Sequence, residues 1–361
     1  MGIPVNIPII GKEEIKAVNE VLKTGMLTSA AKQGGKNVQE FEKLASKYVK
    51  AKFAVAVNSG TAALQAALLA LDVKNGDEVL LPSFTFVATA KAVLSVGAKP
   101  VFVYILPDNF TMNPLDLEKK ITKKSKVVIP VHLYGNVCYM DKISKIAKKY
   151  KLKILEDAAQ SLGSTYKKKH TGTFGDIGCY SLYPAKVMTS GEGGFLVTND
   201  KKLYEKLQMI RNHGMVHGYD TKIFGLNLRM PEINAAIAKE QIKKLPKFLA
   251  ARKKNAQLLT KLLSDLEIKL PTQRKNENVN WYLYTIAIEH RDALIKKLNS
   301  KGFGAVAYYP TPVHKTPFYK MKIKLPITDW SSKHVVSVPI QPNVTSANIK
   351  SMARIIRETV S

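Results

Sequence analysis

A mainly parallel, doubly wound α/β sheet followed by a smaller α+β unit is the fold this sequence predicts, and three observations predict it. Between residues 53 and 155, short apolar runs and longer stretches with helical spacing take turns across short loops, the pattern of helices crossing over between parallel strands. The runs are apolar throughout rather than alternating, as in Phe53-Ala-Val-Ala-Val57, which suits strands covered on both faces. Beyond Pro246 the alternation gives way to a long helical stretch and then a mixture of strands and helices. The boundary is placed near 245, dividing residues 1–245 from residues 246–361.

Taken in order, Ile15, Val18, Val21 and Leu22, then Val38, Phe41, Leu44, Ala45 and Tyr48, recur at helical spacing and predict helices over 11–24 and 36–49, with Gly25 closing the first. The strand 53–57 runs through Asn58-Ser-Gly-Thr61 into a strong helix former, 62–71. Strands follow at 78–81, 99–104, 126–131 and 153–155, with helices from Val87, over 115–121 and over 140–150. A strand over 177–183 is closed by Pro184, and another covers 195–198. Helices are expected from Asp200 through Leu207, from Pro231, and past Pro246. The tail reads as elements at 281–288, 291–300, 335–339 and 346–359.

With 361 residues, 45% of them hydrophobic and 23% charged, the chain has material for one or two full cores. Cys138 and Cys179 stand in no metal-ligand spacing and form no disulfide framework, which favours a reducing compartment and argues for no metal. The N-terminus lacks the signature of a signal peptide and no apolar run approaches the ~20 residues of a membrane span, so a cytoplasmic protein with no membrane partner is expected. The net charge of +28 raises nucleic acid as a partner. Only 7 of the 56 basic residues are Arg, however, and the lysines fall at helix-face spacing, as in Lys142, Lys145, Lys148 and Lys149. Base and phosphate recognition favours Arg forks, so the charge is read as a lysine bias that attracts anionic small molecules, with no nucleic-acid partner.

In a doubly wound sheet ligands bind at the carboxyl ends of the strands, which directs attention to 58–61, 83–86, 132–135 and 156–160. No G-x-G-x-x-G follows the first strand, which disfavours a nicotinamide site. One lysine has unusual company: Lys186 lies between apolar runs, just before a Ser190–Gly194 turn with three glycines. Desolvation there lowers an amine's pKa and frees it to attack a carbonyl, as in a Schiff-base lysine; the alternative is a surface lysine at a turn. The other strand ends offer what pyridoxal phosphate needs besides an amine. Ser59 to Thr61 at a helix N-terminus, with Ser181, make a phosphate seat; Asp157 offers a carboxylate for the pyridinium nitrogen; Phe86 offers an aromatic plate. Taken singly, Asp157 reads equally as a cap for a helix from Ala158, and Phe86 as a core aromatic.

Seven ordered segments, including Asn58-Ser-Gly-Thr-Ala-Ala-Leu64, Pro82-Ser-Phe-Thr-Phe-Val-Ala-Thr89, Glu156-Asp-Ala-Ala-Gln160, Gly172-Thr-Phe-Gly-Asp-Ile-Gly178, Ser181-Leu-Tyr-Pro-Ala-Lys186, Gly191-Glu-Gly-Gly194 and Gly225-Leu-Asn-Leu-Arg-Met230, carry a resemblance to the DegT/StrS-type sugar aminotransferases, a branch of fold-type I pyridoxal phosphate enzymes. The resemblance implies Lys186 as the covalent anchor and catalytic residue, Asp157 at the ring nitrogen, Gln160 at the ring hydroxyl, Phe86 stacked on the ring, and Gly60, Thr61 and Ser181 at the phosphate. It also implies that Asn227 serves the partner's site, hence a homodimer with shared active sites. Leu182 stands where phenylalanine is usual and Met26 where tryptophan is frequent, while residues 28–36 form a longer, more polar loop. These departures bear on substrate fit rather than on the cofactor.

The expected reaction moves an amino group, with L-glutamate as donor, to a keto sugar carried on a nucleotide diphosphate. The Gly191–Gly194 turn resembles that of perosamine- and bacillosamine-type enzymes, which points to a 4-keto-6-deoxyhexose; Arg229 and His314 are the candidates for contacting it, against roles as an interface arginine and a core histidine. A 3-keto sugar acceptor is the alternative. A sugar dehydratase of the same fold has histidine in place of Lys186, and a non-catalytic regulator would not keep Lys186, Asp157 and Ser181 together.

Overall fold

The computed structural model describes residues 2–360. Seven strands form one sheet in the spatial order Phe53–Val57, Gly194–Thr198, Ile177–Ser181, Lys153–Asp157, Ser125–Val128, Glu78–Pro82, Lys99–Val103. The four pairings from Ile177–Ser181 outward to Lys99–Val103 are parallel, and the two that attach Gly194–Thr198 and Phe53–Val57 are antiparallel. Both faces are covered, as the apolar runs imply. Val79 and Leu81 enter one apolar cluster while Leu80 between them enters another, with Met140, Ile143 and Ala147 of the helix Met140–Lys149.

Several boundaries move for reasons that bear on the site. The strand expected over 153–155 continues to Asp157, because Asp157 N–H donates to Pro130 O and His132 N–H donates to Asp157 O, both at 3.0 Å. The strand expected over 177–183 stops at Ser181, where Leu182 N–H turns to Gly193 O at 2.9 Å and Pro184 follows. Asn113 caps the helix Pro114–Lys119 by accepting from Leu115 N–H at 2.9 Å.

The helix Glu232–Leu263 differs most from expectation. The sequence suggests one helix from Pro231 and another past Pro246, yet 32 residues run as one helix with Pro246 inside it. Position 245, where the boundary is expected, therefore falls within an unbroken element. Its buried polar residues tie distant backbone to it. Gln241 Nε2 donates to Ile9 O at 2.7 Å, Arg252 donates to the carbonyls of Trp281 and Tyr282, and Asn255 Nδ2 donates to Val344 O at 3.0 Å. Beyond it, Tyr284–Ala287 and Val335–Val338 pair antiparallel over an apolar cluster with Leu259, Leu263, Ile349, Met352 and Ile356. A helix at Pro326–His334 joins that region, which the sequence reading left undefined.

Candidate active site

At the carboxyl ends of the parallel strands lies a cavity of about 440 Å³. Gly60, Thr61, Phe86, Asp157, Gln160, Ser181 and Lys186 all line it, drawn from separate strand ends. A larger cleft, of about 730 Å³, lies by the helices Lys12–Thr24 and Lys36–Val49. Of the charged groups lining it, Lys239 pairs with Glu40 at 2.7 Å and Glu232 is engaged by the amide of Asn37 at 2.7 Å. The smaller cavity is the one that brings a desolvated amine, the buried carboxylate of Asp157 and the first turn of a helix together.

Lys186 follows a tight turn in which its own N–H donates to Tyr183 O at 2.9 Å, so the strand's end and Pro184 aim the side chain back over the sheet. Its Nζ sits 4.9 Å from the centroid of the Tyr282 ring. Burial pulls the amine down to about 8, against the opposing influence of Asp157 and of Tyr183. Asp157 caps no helix, since none begins at Ala158. Its Oδ2 accepts from Thr89 Oγ1 at 2.8 Å and its Oδ1 from Ala159 N–H at 3.2 Å. Burial raises its pKa, opposed by those two donors, Lys186 and His132. A buried amine and a buried carboxylate thus face one cavity, each made less comfortable as an ion by loss of water.

The phosphate seat forms where the helix Gly60–Ala70 starts. Ser59 is its N-cap and its hydroxyl accepts from Ala62 N–H at 3.0 Å, so Ser59 organises the turn while the first-turn amides of Gly60 and Thr61 face the cavity. Gly60 is required by close approach. A Cβ there would lie 2.8 Å from Ser181 Cβ, and without it the helix end and the strand end close on one another. Phe86 is 54% exposed, not a core aromatic, and its ring lies 6.1 Å from Tyr309. Gln160 is locked at both ends: its Oε1 accepts from Tyr134 N–H at 2.8 Å and its Nε2 donates to Tyr309 Oη at 3.0 Å.

Three expected residues lie elsewhere. His314 is fully buried, with Nδ1 2.7 Å from Ser83 Oγ and the ring against Phe102; it is a core histidine, closed off from a ligand in the cavity. Arg229 is half-buried and donates through Nη1 to Asn212 Oδ1 at 2.7 Å, and Asn227 is exposed; neither lines the cavity of its own chain. Sequence reasoning missed Thr89, which fixes Asp157, and the tyrosine wall of Tyr183, Tyr282, Tyr308 and Tyr309. It also passed over Glu156, whose buried carboxylate accepts from the amides of Gly172, Phe174 and Gly175 at 2.6–2.7 Å and pairs with His132 Nε2 at 2.9 Å. Glu156 thereby pins the loop that leads into the strand carrying Ser181. The chain order Glu156-Asp157 at a strand end was the available signal.

The site defines a class: an α/β enzyme whose desolvated lysine amine, buried carboxylate and helix N-terminus converge as a cofactor aldehyde, pyridinium nitrogen and phosphate require. Residues 8–357 match the DegT/DnrJ/EryC1/StrS aminotransferase family, and the chain belongs to it. It is 36% identical to a UDP-N-acetyl-3-dehydro-alpha-D-glucosamine 3-aminotransferase of Acidithiobacillus ferrooxidans (84% of this chain, 83% of the relative). It is also 36% identical to a UDP-2-acetamido-2-deoxy-3-oxo-D-glucuronate aminotransferase of Pseudomonas aeruginosa (88% and 89%) and 34% identical to a GDP-perosamine synthase of Escherichia coli O157:H7 (99% and 99%). A solved structure of DesV from Streptomyces venezuelae with a ketimine intermediate superposes with a TM-score of 0.93 at 34% identity, covering 97% of this chain and 94% of that one. The protein is a pyridoxal phosphate-dependent sugar aminotransferase. The residues present fit that cofactor: Gly60 and Thr61 of the helix's first turn line the cavity beside Ser181, as a phosphate needs, and Asp157 is a buried carboxylate without a cationic hydrogen-bond partner. Among the described residues no helix is long and apolar enough to cross a membrane.

Proposed function

We propose that this chain transfers an amino group from L-glutamate to carbon 4 of a nucleotide-linked 4-keto-6-deoxyhexose. The observation that carries the reading is the Gly191–Gly194 turn, whose Glu192 lines the same cavity as Lys186 in a family whose perosamine-type members it resembles. When bound, the cofactor supplies an electron sink for the reacting carbon. Lys186 anchors it and, with an amine held near 8, takes up and returns a proton at Nζ close to neutral pH. Asp157 holds positive charge at the ring nitrogen, Thr89 holds Asp157, Gln160 meets the ring hydroxyl, and Phe86 covers the ring face. Gly60, Thr61 and Ser181 hold the phosphate.

Asn227 and Arg229 lie outside the cavity of their own chain, which supports a homodimer in which Asn227 completes the partner's site and Arg229 meets the substrate diphosphate. Mixing inactive Lys186→Ala protein with an inactive Asn227 variant then restores activity through hybrid dimers with one intact site; absence of recovery despite proven subunit exchange removes the shared-site reading. Half-reactions with nucleotide-linked 4-keto and 3-keto sugars, followed by the cofactor's colour change, test the acceptor. Turnover confined to 3-keto sugars, the substrates in the names of two relatives, overturns the carbon-4 assignment and leaves the cofactor assignment standing.

A further inference from the structure

The turn after Lys186 presents a single side chain. Residues 191, 193 and 194 are glycine, so between Ser190 and Phe195 only Glu192 reaches outward, and it reaches into the cavity. The backbone beneath it is clamped. Asn234 Nδ2 donates to Ser190 O at 2.7 Å and to Glu192 O at 2.9 Å, Ser190 Oγ donates to Glu192 O at 2.8 Å, and Leu182 N–H donates to Gly193 O at 2.9 Å. A Cβ on Gly193 would stand 2.3 Å from Ser190 Oγ, so the turn packs as tightly as glycine permits. The Glu192 carboxylate has no hydrogen bond or ion pair with any other described residue.

A carboxylate on a rigid turn, with no donor from its own chain among the described residues, has two chemical properties. It accepts hydrogen bonds and donates none, and it repels a second carboxylate. Resting on the sugar aminotransferase reading above, we propose that Glu192 selects the acceptor: it takes a sugar ring that brings hydroxyl or amide donors and turns away one that carries a carboxylate. The acceptor is therefore a neutral keto sugar, not a keto uronate. The two relatives that are each 36% identical to this chain act, by name, on sugars that differ in this respect, a 3-dehydroglucosamine and a 3-oxoglucuronate, so overall similarity does not decide the matter.

That pair of UDP-sugars, matched in nucleotide and keto position, is the probe. In a ping-pong reaction kcat/KM for the acceptor contains only the acceptor half, so any effect of Glu192 on glutamate drops out. Wild-type holoenzyme is expected to favour the neutral sugar, in kcat/KM or, where a sugar binds without reacting, in its competitive inhibition constant. Glu192→Gln keeps shape and removes charge; it narrows the preference roughly tenfold, chiefly by improving the uronate, with an unchanged melting temperature. Glu192→Ala also removes the acceptor and lowers kcat/KM or affinity for the neutral sugar. A preference that stays within about twofold of wild type in both variants overturns the inference alone. Failure of wild-type protein to bind or aminate any nucleotide-linked keto sugar, while glutamate still discharges the cofactor, overturns the sugar reading and this inference with it.

Discussion

Replacing Lys186 by methionine should stabilise the cofactor-free protein while abolishing transamination. The fold holds the amine at about 8 against an ordinary 10.5, chiefly by burial. Below pH 8 the folded and unfolded chains both carry the proton, and the folded chain bears the full cost of a poorly solvated charge, on the order of 3 kcal/mol. Between about 8 and 10.5 the unfolded chain holds more protons than the folded one, so the cost is relieved as pH rises. Lys186 is half-buried at the edge of a cavity, and water there trims the figure, which gives a net gain of about 1–3 kcal/mol for Lys186→Met at pH 7. Denaturant unfolding of cofactor-free wild-type and variant protein at pH 7 and near 10 measures it. The variant's advantage should shrink at the higher pH. A Lys186→Met protein less stable than wild type at pH 7, or an advantage independent of pH, refutes the desolvation argument.

Asp157→Asn should bind cofactor yet lose at least about a hundredfold in kcat, since a neutral amide cannot hold the ring nitrogen protonated; turnover near wild type would reduce Asp157 to a turn residue. Gly60→Ala forces a methyl to 2.8 Å from Ser181 Cβ, and cofactor affinity measured by titration should fall tenfold or more, with less change in melting temperature. His314→Ala should cost about 2–4 kcal/mol of stability by emptying a packed site and removing the ring partner of the Ser83 hydroxyl, which keeps only the backbone amide of residue 314, while kcat/KM at permissive temperature stays within a few-fold; a selective KM increase for the sugar would return His314 to the binding site.

The parts of the site legible in the sequence are those that a strand end displays locally. Lys186, Asp157, Gly60 and Ser181 each stand where a strand gives way to a turn, and turn chemistry announces itself over a few residues. Phe86 and Gln160 became legible only through the company of neighbouring motifs. What stayed hidden depends on contacts closed over long loops. Gln160 meets Tyr309, 149 residues on, and His314 meets Ser83, 231 residues away. No local pattern distinguishes a tyrosine that walls a cavity from one in a core, or a histidine bound through one ring nitrogen to a distant serine from one facing a ligand. The single helix through Pro246 was misjudged for a different reason: the local cost of proline is real, and packing along both halves of the helix outweighs it.

That helix also ties together the segments that meet at the cavity. At 1.5 Å per residue it is a rod of about 48 Å, and it carries the chain out of the cofactor-binding sheet without a flexible joint. Tyr282, over the Lys186 amine, is fastened by its carbonyl to Arg252 on the far side of Pro246, while Gln241 on the near side grips the N-terminal segment. Between those two grips Pro246 leaves one rung of the hydrogen-bond ladder unmade, and the helix runs on through it. The stretch that carries Tyr282 is fastened to the sheet side as well, since Asn280 Nδ2 donates to Gln160 O and Leu162 O at 3.0 Å and Leu283 N–H donates to Tyr134 O at 3.3 Å, so the ring over the Lys186 amine is held in register from two directions at once.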